Sequence, residues 1–298
     1  MNEFSSDHIR VNLSAIAQKV LNNDRIIFSA SSNSRLSFGT LVNRIIENFD
    51  DDFEINEDYV HLRGEGQVVY LQSENINTLD SVRLSHYLKN VPNPTVPKYV
   101  KCLLESFARL PFIEQERLIL KKDIIEEIEK ALNDKDKKRL RLKFKGKYME
   151  LTPVCIAPAL EGTFQYLIGV KDDETISIRL SRIEKIKAIG KADKIKQALK
   201  DNINVGLYEF GPTFIVEKPV DVKVRFTTQD GLNSYLYSVM HRPMHYAIEE
   251  GNIYKFRCSE LQARYFFFRF AGEVEILEPE SLRDKFHDLY QAGLKNYQ

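Results

Sequence analysis

The stretch Leu151–Ile189 limits most tightly what this chain can fold into. Thr152, Val154 and Ile156 alternate with Pro153, Cys155 and Ala157, and Glu161-Gly162 follows as a turn. Phe164–Val170 is a mostly apolar run, suited to a strand buried on both faces. Lys171-Asp172-Asp173-Glu174 makes a second turn. Beyond it Ile176, Ile178 and Leu180 share one face, and Ser177, Arg179 and Ser181 share the other. Strands joined by such short turns predict a small antiparallel barrel, with Arg179 on its polar face and Arg182 just past it.

A chain of 298 residues exceeds one typical core and predicts two or three domains. Lys+Arg and Asp+Glu balance at 43 each, so any contact with nucleic acid must come from local patches rather than a global field. Cys102, Cys155 and Cys258 form neither a CxxC pair nor an even framework, which fits a reducing cytoplasm. No apolar run approaches the roughly 20 residues that span a bilayer, so no membrane partner is expected. The segment MNEFSSDHIR is polar and lacks the apolar centre of a secretory signal.

From the N-terminus, Ile9, Val11 and Leu13 alternate with His8, Arg10 and Asn12. Ser14 then caps a helix through Ile16, Ala17, Val20 and Leu21. A polar loop over Ser29–Arg35 leads to Ser37, the cap of a second helix with Leu41, Val42, Ile45, Ile46 and Phe49 at helical spacing. This order resembles a ribbon–helix–helix domain, expected over residues 1–80 with a hairpin from Tyr59–Leu62 and Val68–Leu71. The element after the first strand is a helix, so the strand is expected to pair with a second copy, giving a homodimer. The resemblance implies that Arg10 and Asn12, with His8, reach base edges in a major groove of ~12 Å, and that the helix start near Ser37 faces a phosphate. The same residues also fit a module that serves dimerisation alone.

Val91–Pro97 is a proline-rich connector within a helical linker, residues 81–134. Its helices carry Tyr99, Val100, Leu103, Leu104, Phe107 and Leu110, then Glu114–Leu120 after Pro111. Asp123-Ile124-Ile125-Glu126 reads as a capping box opening a third helix. In the strand that follows, Arg139, Arg141, Lys143 and Lys145 face away from Leu140, Leu142 and Phe144. Such a row binds polyanions with strong salt dependence, and equally fits a solvated strand face. Further on, Lys191–Asn202 reads as a basic helix, Val220–Thr227 as a strand, Ser234–Met240 as a helix and His245–Phe256 as a strand pair. The aromatic run Tyr265–Phe270 fits burial in a sheet better than base stacking.

The barrel stretch resembles a WYL domain. Gln165-Tyr166-Leu167 stands where that family has Trp-Tyr-Leu, and Arg179-Leu180-Ser181-Arg182-Ile183 stands in its arginine motif without the usual aromatic and Asp. Gly272-Glu273-Val274-Glu275-Ile276-Leu277-Glu278-Pro279, followed by Leu282-Arg283, resembles the extension that follows such domains. The resemblance implies an α+β multidomain chain, with an SH3/Sm-like β-barrel at 135–190 and an α+β extension at 191–298. It implies that Tyr166, Arg179 and Arg182 hold an anionic effector such as a nucleotide, which arginine's planar fork suits.

Catalytic constellations are poor. The six histidines are dispersed, and Pro243 breaks the run between His241 and His245. No GxSxG, phosphate-cradling loop or dinucleotide fingerprint occurs. The chain is therefore expected to be non-enzymatic, with no cofactor and no metal. Two functions fit the resemblance: a transcriptional regulator tied to phage defence that binds DNA, or an accessory protein of an RNA-targeting CRISPR–Cas system. The latter would bind single-stranded RNA and modulate the effector nuclease.

Overall fold

The computed structural model describes residues 8–29, 36–49 and 53–297, which form a mixed α+β fold. Two compact units emerge: the described residues up to Leu151 with Arg179–Ala192, and Thr152–Ile178 with the chain from Asp193 onward. Most of the polar loop predicted at Ser29–Arg35 lies outside the described residues. No helix among the described residues is long and apolar enough to cross a membrane.

The first unit opens with β1 (His8–Leu13), α1 (Ala15–Ser29) and α2 (Phe38–Asn48). The alternation in β1 buries Val11 and Leu13 and leaves His8, Arg10 and Asn12 outward. Ser37 caps α2, its Oγ accepting the Thr40 N–H at 3.0 Å. A single 3-10 turn (Glu57–His61) occupies the place of the first expected hairpin strand, and β2 (Glu65–Tyr70) follows. Next come the short helices α3 (Ser73–Thr78) and α4 (Ser81–Tyr87), then α5 (Val96–Phe107), whose Tyr99, Leu103, Leu104 and Phe107 are fully buried.

The expected intermolecular partner of β1 is corrected here. β1 pairs antiparallel with β2 of the same chain, from His8↔Tyr70 to Leu13↔Glu65. The helix next in sequence does not supply this partner; the chain returns after both helices. The return passes Gly64, where a Cβ would lie 2.0 Å from the Leu13 carbonyl oxygen, so only glycine allows the approach. Buried Asn43 of α2 fixes the end of β2: its Nδ2 donates to the Tyr70 carbonyl at 2.7 Å, and its Oδ1 accepts the Gln72 N–H at 2.8 Å.

Helix α6 (Phe112–Leu120) runs through a π turn (Lys121–Ile125) into α7 (Glu126–Asn133). The predicted capping box at Asp123 therefore opens no new helix, because the backbone there is already helical. Asp123 instead pairs with Arg44 at 2.8 Å.

A five-stranded sheet contains β3 (Lys138–Phe144), β4 (Lys147–Pro158), β5 (Gln165–Lys171), β6 (Glu174–Arg179) and β7 (Ile183–Lys191), in the order β6-β5-β4-β3-β7. The expected barrel is corrected: β6 and β7 are the two edges and do not pair, so the sheet stays open. Residues 147–151 of β4 pair with β3 in the first unit, and residues 152–158 pair with β5 in the second. Pro153 sits at that change of partner, beside a bulge, where a missing N–H costs least. Lys145-Gly146 and Asp172-Asp173 close the two tight hairpins with positive φ at both central residues, as two-residue turns of this hand require.

In the second unit, α8 (Gln197–Phe214) replaces the shorter basic helix expected at Lys191–Asn202. It is followed by β8 (Pro219–Phe226), α9 (Gln229–Tyr237), β9 (Tyr246–Glu250), β10 (Ile253–Ser259), α10 (Glu260–Phe267), β11 (Val274–Glu278) and α11 (Glu280–Leu294). The strands form one sheet in the order β11-β8-β10-β9. The aromatic run expected in a sheet is helical instead: Ala263, Phe266, Phe267 and Phe270 fall at i, i+3, i+4 and i+7. They pack with Val222, Val224, Phe226, Tyr235 and Phe256 in the core of this unit. Each fully buried Phe contributes about 1.5–3 kcal/mol by leaving water.

Candidate nucleic-acid interface

A cationic face is built by β3 and its edge neighbour β7. Period-two alternation sends Leu140 and Leu142 into the core and turns Arg139, Arg141 and Lys143 outward. The register then sets Arg141 beside Lys187 and Lys143 beside Lys185. Like charges directly across a ladder repel, so this pairing gains nothing for the fold.

Acidic residues offset only part of the charge. Arg139 Nη1 lies 3.6 Å from Glu150 Oε2, and Lys143 Nζ lies 2.9 Å from Glu184 Oε2. Hydrogen bonds from Lys143 and from the Gly146 N–H hold the Glu184 carboxyl below its usual range. Glu150 stands directly across the β3–β4 ladder from Arg141 but pairs with Arg139, and the Arg141 guanidinium lies 5.1 Å from the centre of the exposed Tyr148 ring. Lys185 and Lys187 are exposed and make no ion pair of 4 Å or less among the described residues. Lys145 stands at the hairpin tip, 5.2 Å from the Phe144 ring. The face thus presents cations with an aromatic ring among them, a pairing that serves both phosphates and bases.

Lys185 and Lys187 are the residues sequence reasoning missed. Their signal was the alternation Lys185-Ile186-Lys187-Ala188, in line with β3. Of the other expected site residues, Tyr166 packs in the second unit against Ala157, Ile168 and Val170. Arg179 bonds through Nε to Ser181 Oγ at 2.6 Å, and exposed Arg182 ends the turn before β7; both lie in the first unit. Outward on the β1–β2 ribbon, His8 contacts the Tyr70 ring at 5.7 Å, while Arg10 lies against Gly66 and Asn12 pairs with it. Ser37 Oγ is taken up by capping and by Thr40 Oγ1 at 2.8 Å. Burial pushes the Cys102 and Cys258 thiols up to about 11 and about 12, which makes them poor nucleophiles.

No protein-family model matches the chain, and no curated protein matches it in sequence. Its fold is similar to that of a solved protein described as CRISPR Cas-related, at 18% identity and a TM-score of 0.73, covering 97% of this chain and 94% of that one. A match to proteasome accessory factor B/C (PafBC) of Arthrobacter aurescens has 17% identity and a TM-score of 0.29, covering 78% of this chain and 37% of that one. The likeness to the CRISPR Cas-related protein is one of fold, over nearly the whole chain.

Proposed function

We propose that the chain is a non-enzymatic accessory protein of a CRISPR–Cas system that binds single-stranded RNA on the outward face of β3 and β7. The observation that carries this reading is the cross-strand placement of Arg141 with Lys187 and Lys143 with Lys185, a repulsive arrangement that a bound polyanion would relieve. Arg141 and Lys143 stand about 7 Å apart along their strand. They serve as backbone contacts, with Tyr148 available for stacking. The WYL resemblance and the CRISPR-related fold support the same assignment.

The test is the salt dependence of binding to single-stranded RNA. Arg141→Gln with Lys187→Gln should lower the slope of log affinity against log salt by about 0.7 for each phosphate that is no longer neutralised. An unchanged slope would make the row a solvated strand face. Tighter binding to duplex DNA, abolished on substituting Arg10 and Asn12, would favour a DNA-binding regulator instead.

A further inference from the structure

The second unit holds a cleft of about 670 Å³ that the nucleic-acid reading does not use. Its size falls within the range of small-molecule sites. The apolar walls come from Leu160, Phe210, Phe214, Val239 and Met244. Helix α8 shapes one side through its kink at Gly211, whose φ of 70° is the left-handed region, and Pro212 then interrupts the helical hydrogen bonds. A Cβ on Gly211 would lie 2.8 Å from Leu160 Cγ, so glycine lets the kink close against that wall.

One buried acceptor in the lining of this cleft lacks a donor among the described residues. Gln262 is only 3% exposed, and its Oε1 is shielded from solvent with no partner among the described residues. Its Nε2 is committed to the carbonyls of His241 and Arg242, both at 3.4 Å. The Glu161 side chain is 8% exposed, with Oε1 3.3 Å from His241 Nδ1 but not aligned for a hydrogen bond. Burial alone would raise the Glu161 carboxyl, yet its contacts with His241, the backbone and Thr163 hold it below the usual range, so it is a carboxylate. Arg242 is the main cation lining the cleft, and it is engaged: Nη1 donates to the Leu236 carbonyl at 2.8 Å and the guanidinium lies over the Tyr235 ring. A ligand donor would meet an unfilled acceptor at Gln262 Oε1.

Ring geometry sets the shape. His241 meets Phe214 edge-on at 5.4 Å, and His245 lies 5.6 Å from Tyr208, so the cleft is lined by aromatic rings. We propose that this cleft binds a flat heteroaromatic molecule bearing an amino group, the amino N–H groups meeting Gln262 Oε1 and the Glu161 carboxylate. The same chemistry is offered by a free nucleobase or nucleoside and by an unstacked base of a single strand.

Calorimetric titration of the full chain tests this with adenosine, with purine riboside, which lacks the amino group, and with a short oligoadenylate. Adenosine should bind saturably, and purine riboside at least about tenfold more weakly, as expected where a buried acceptor is left unmet. Gln262→Met should weaken adenosine by at least about tenfold. If that variant fails to fold, Val239→Trp at the exposed rim replaces it and should block adenosine by filling the cleft. Competition between oligoadenylate and adenosine would identify a strand base as the occupant, and adenosine binding without competition a free molecule; both outcomes support the site. No saturable binding of adenosine at millimolar concentration, or equal binding by the Gln262 or Val239 variants, overturns it. RNA binding on β3 and β7 is measured separately, so its failure and the failure of this site are distinguishable.

Discussion

Replacing Glu105 by alanine should cost the first unit about 1.5–3 kcal/mol, the range for losing hydrogen bonds to a buried charged group. Glu105 is fully buried in α5 and serves as a remote cap for α1. Its two carboxylate oxygens accept the Ser14 N–H at 2.6 Å and the Ser14 hydroxyl at 2.8 Å, and the second oxygen also accepts Arg109 Nη1 at 2.8 Å. Removing the carboxylate leaves the Ser14 N–H unmet and takes the ion-pair partner from Arg109, which keeps its bond to the Glu105 carbonyl. Because the two units need not unfold together, the readout is native-state hydrogen exchange of the β1 and α1 amides in the full chain. Arg109→Ala should be costly as well, because it leaves the fully buried Glu105 carboxylate without its cation, with only the Ser14 N–H and hydroxyl still bonding it. A cost under about 1 kcal/mol for both variants would make the contact an ordinary surface pair.

Asp24→Asn should stabilise the first unit at pH 8 and have much less effect at pH 5. Asp24 lies on the buried face of α1 with Ala17, Leu21 and Phe28, and neither carboxylate oxygen has a partner among the described residues. Burial pushes this carboxyl from 3.8 up to about 7. The folded state therefore binds the proton more tightly than the unfolded chain. That contribution is complete below pH 3.8, falls as pH rises and is lost once pH passes about 7. The full loss is about 4 kcal/mol, and about 2–3 kcal/mol of it falls between pH 5 and pH 8. Denaturant melts of both proteins at the two pH values check this. Parallel stability curves would mean that Asp24 carries no raised titration.

Local pattern made much of the fold legible. Period-two alternation gave β1, β3, β6 and β8, and the Ser37 cap and the turn at Asp172-Asp173 stand where their chemistry predicts. The reading failed where a short pattern was compatible with two periods. The aromatic run at Tyr265–Phe270 suits a strand by composition, yet its buried members fall at helical spacing once α10 packs on the sheet. Asp123-Ile124-Ile125-Glu126 has the letters of a capping box, but nothing local shows that α6 arrives there still helical.

What the sequence determined by itself was the facing of its alternating strands, and hence the cations Arg139, Arg141 and Lys143 and the outward His8, Arg10 and Asn12. What only the tertiary structure decided was which faces meet. Lys185 and Lys187 join the β3 row because β7 pairs on that edge, β1 finds β2 beyond two helices, and Ser14 meets Glu105 at a separation of 91 residues. Side-chain direction follows from backbone geometry one residue at a time, so it is written locally. Pairing over long separations is settled by burial and hydrogen bonding summed over the whole unit, and no window of the chain contains that sum.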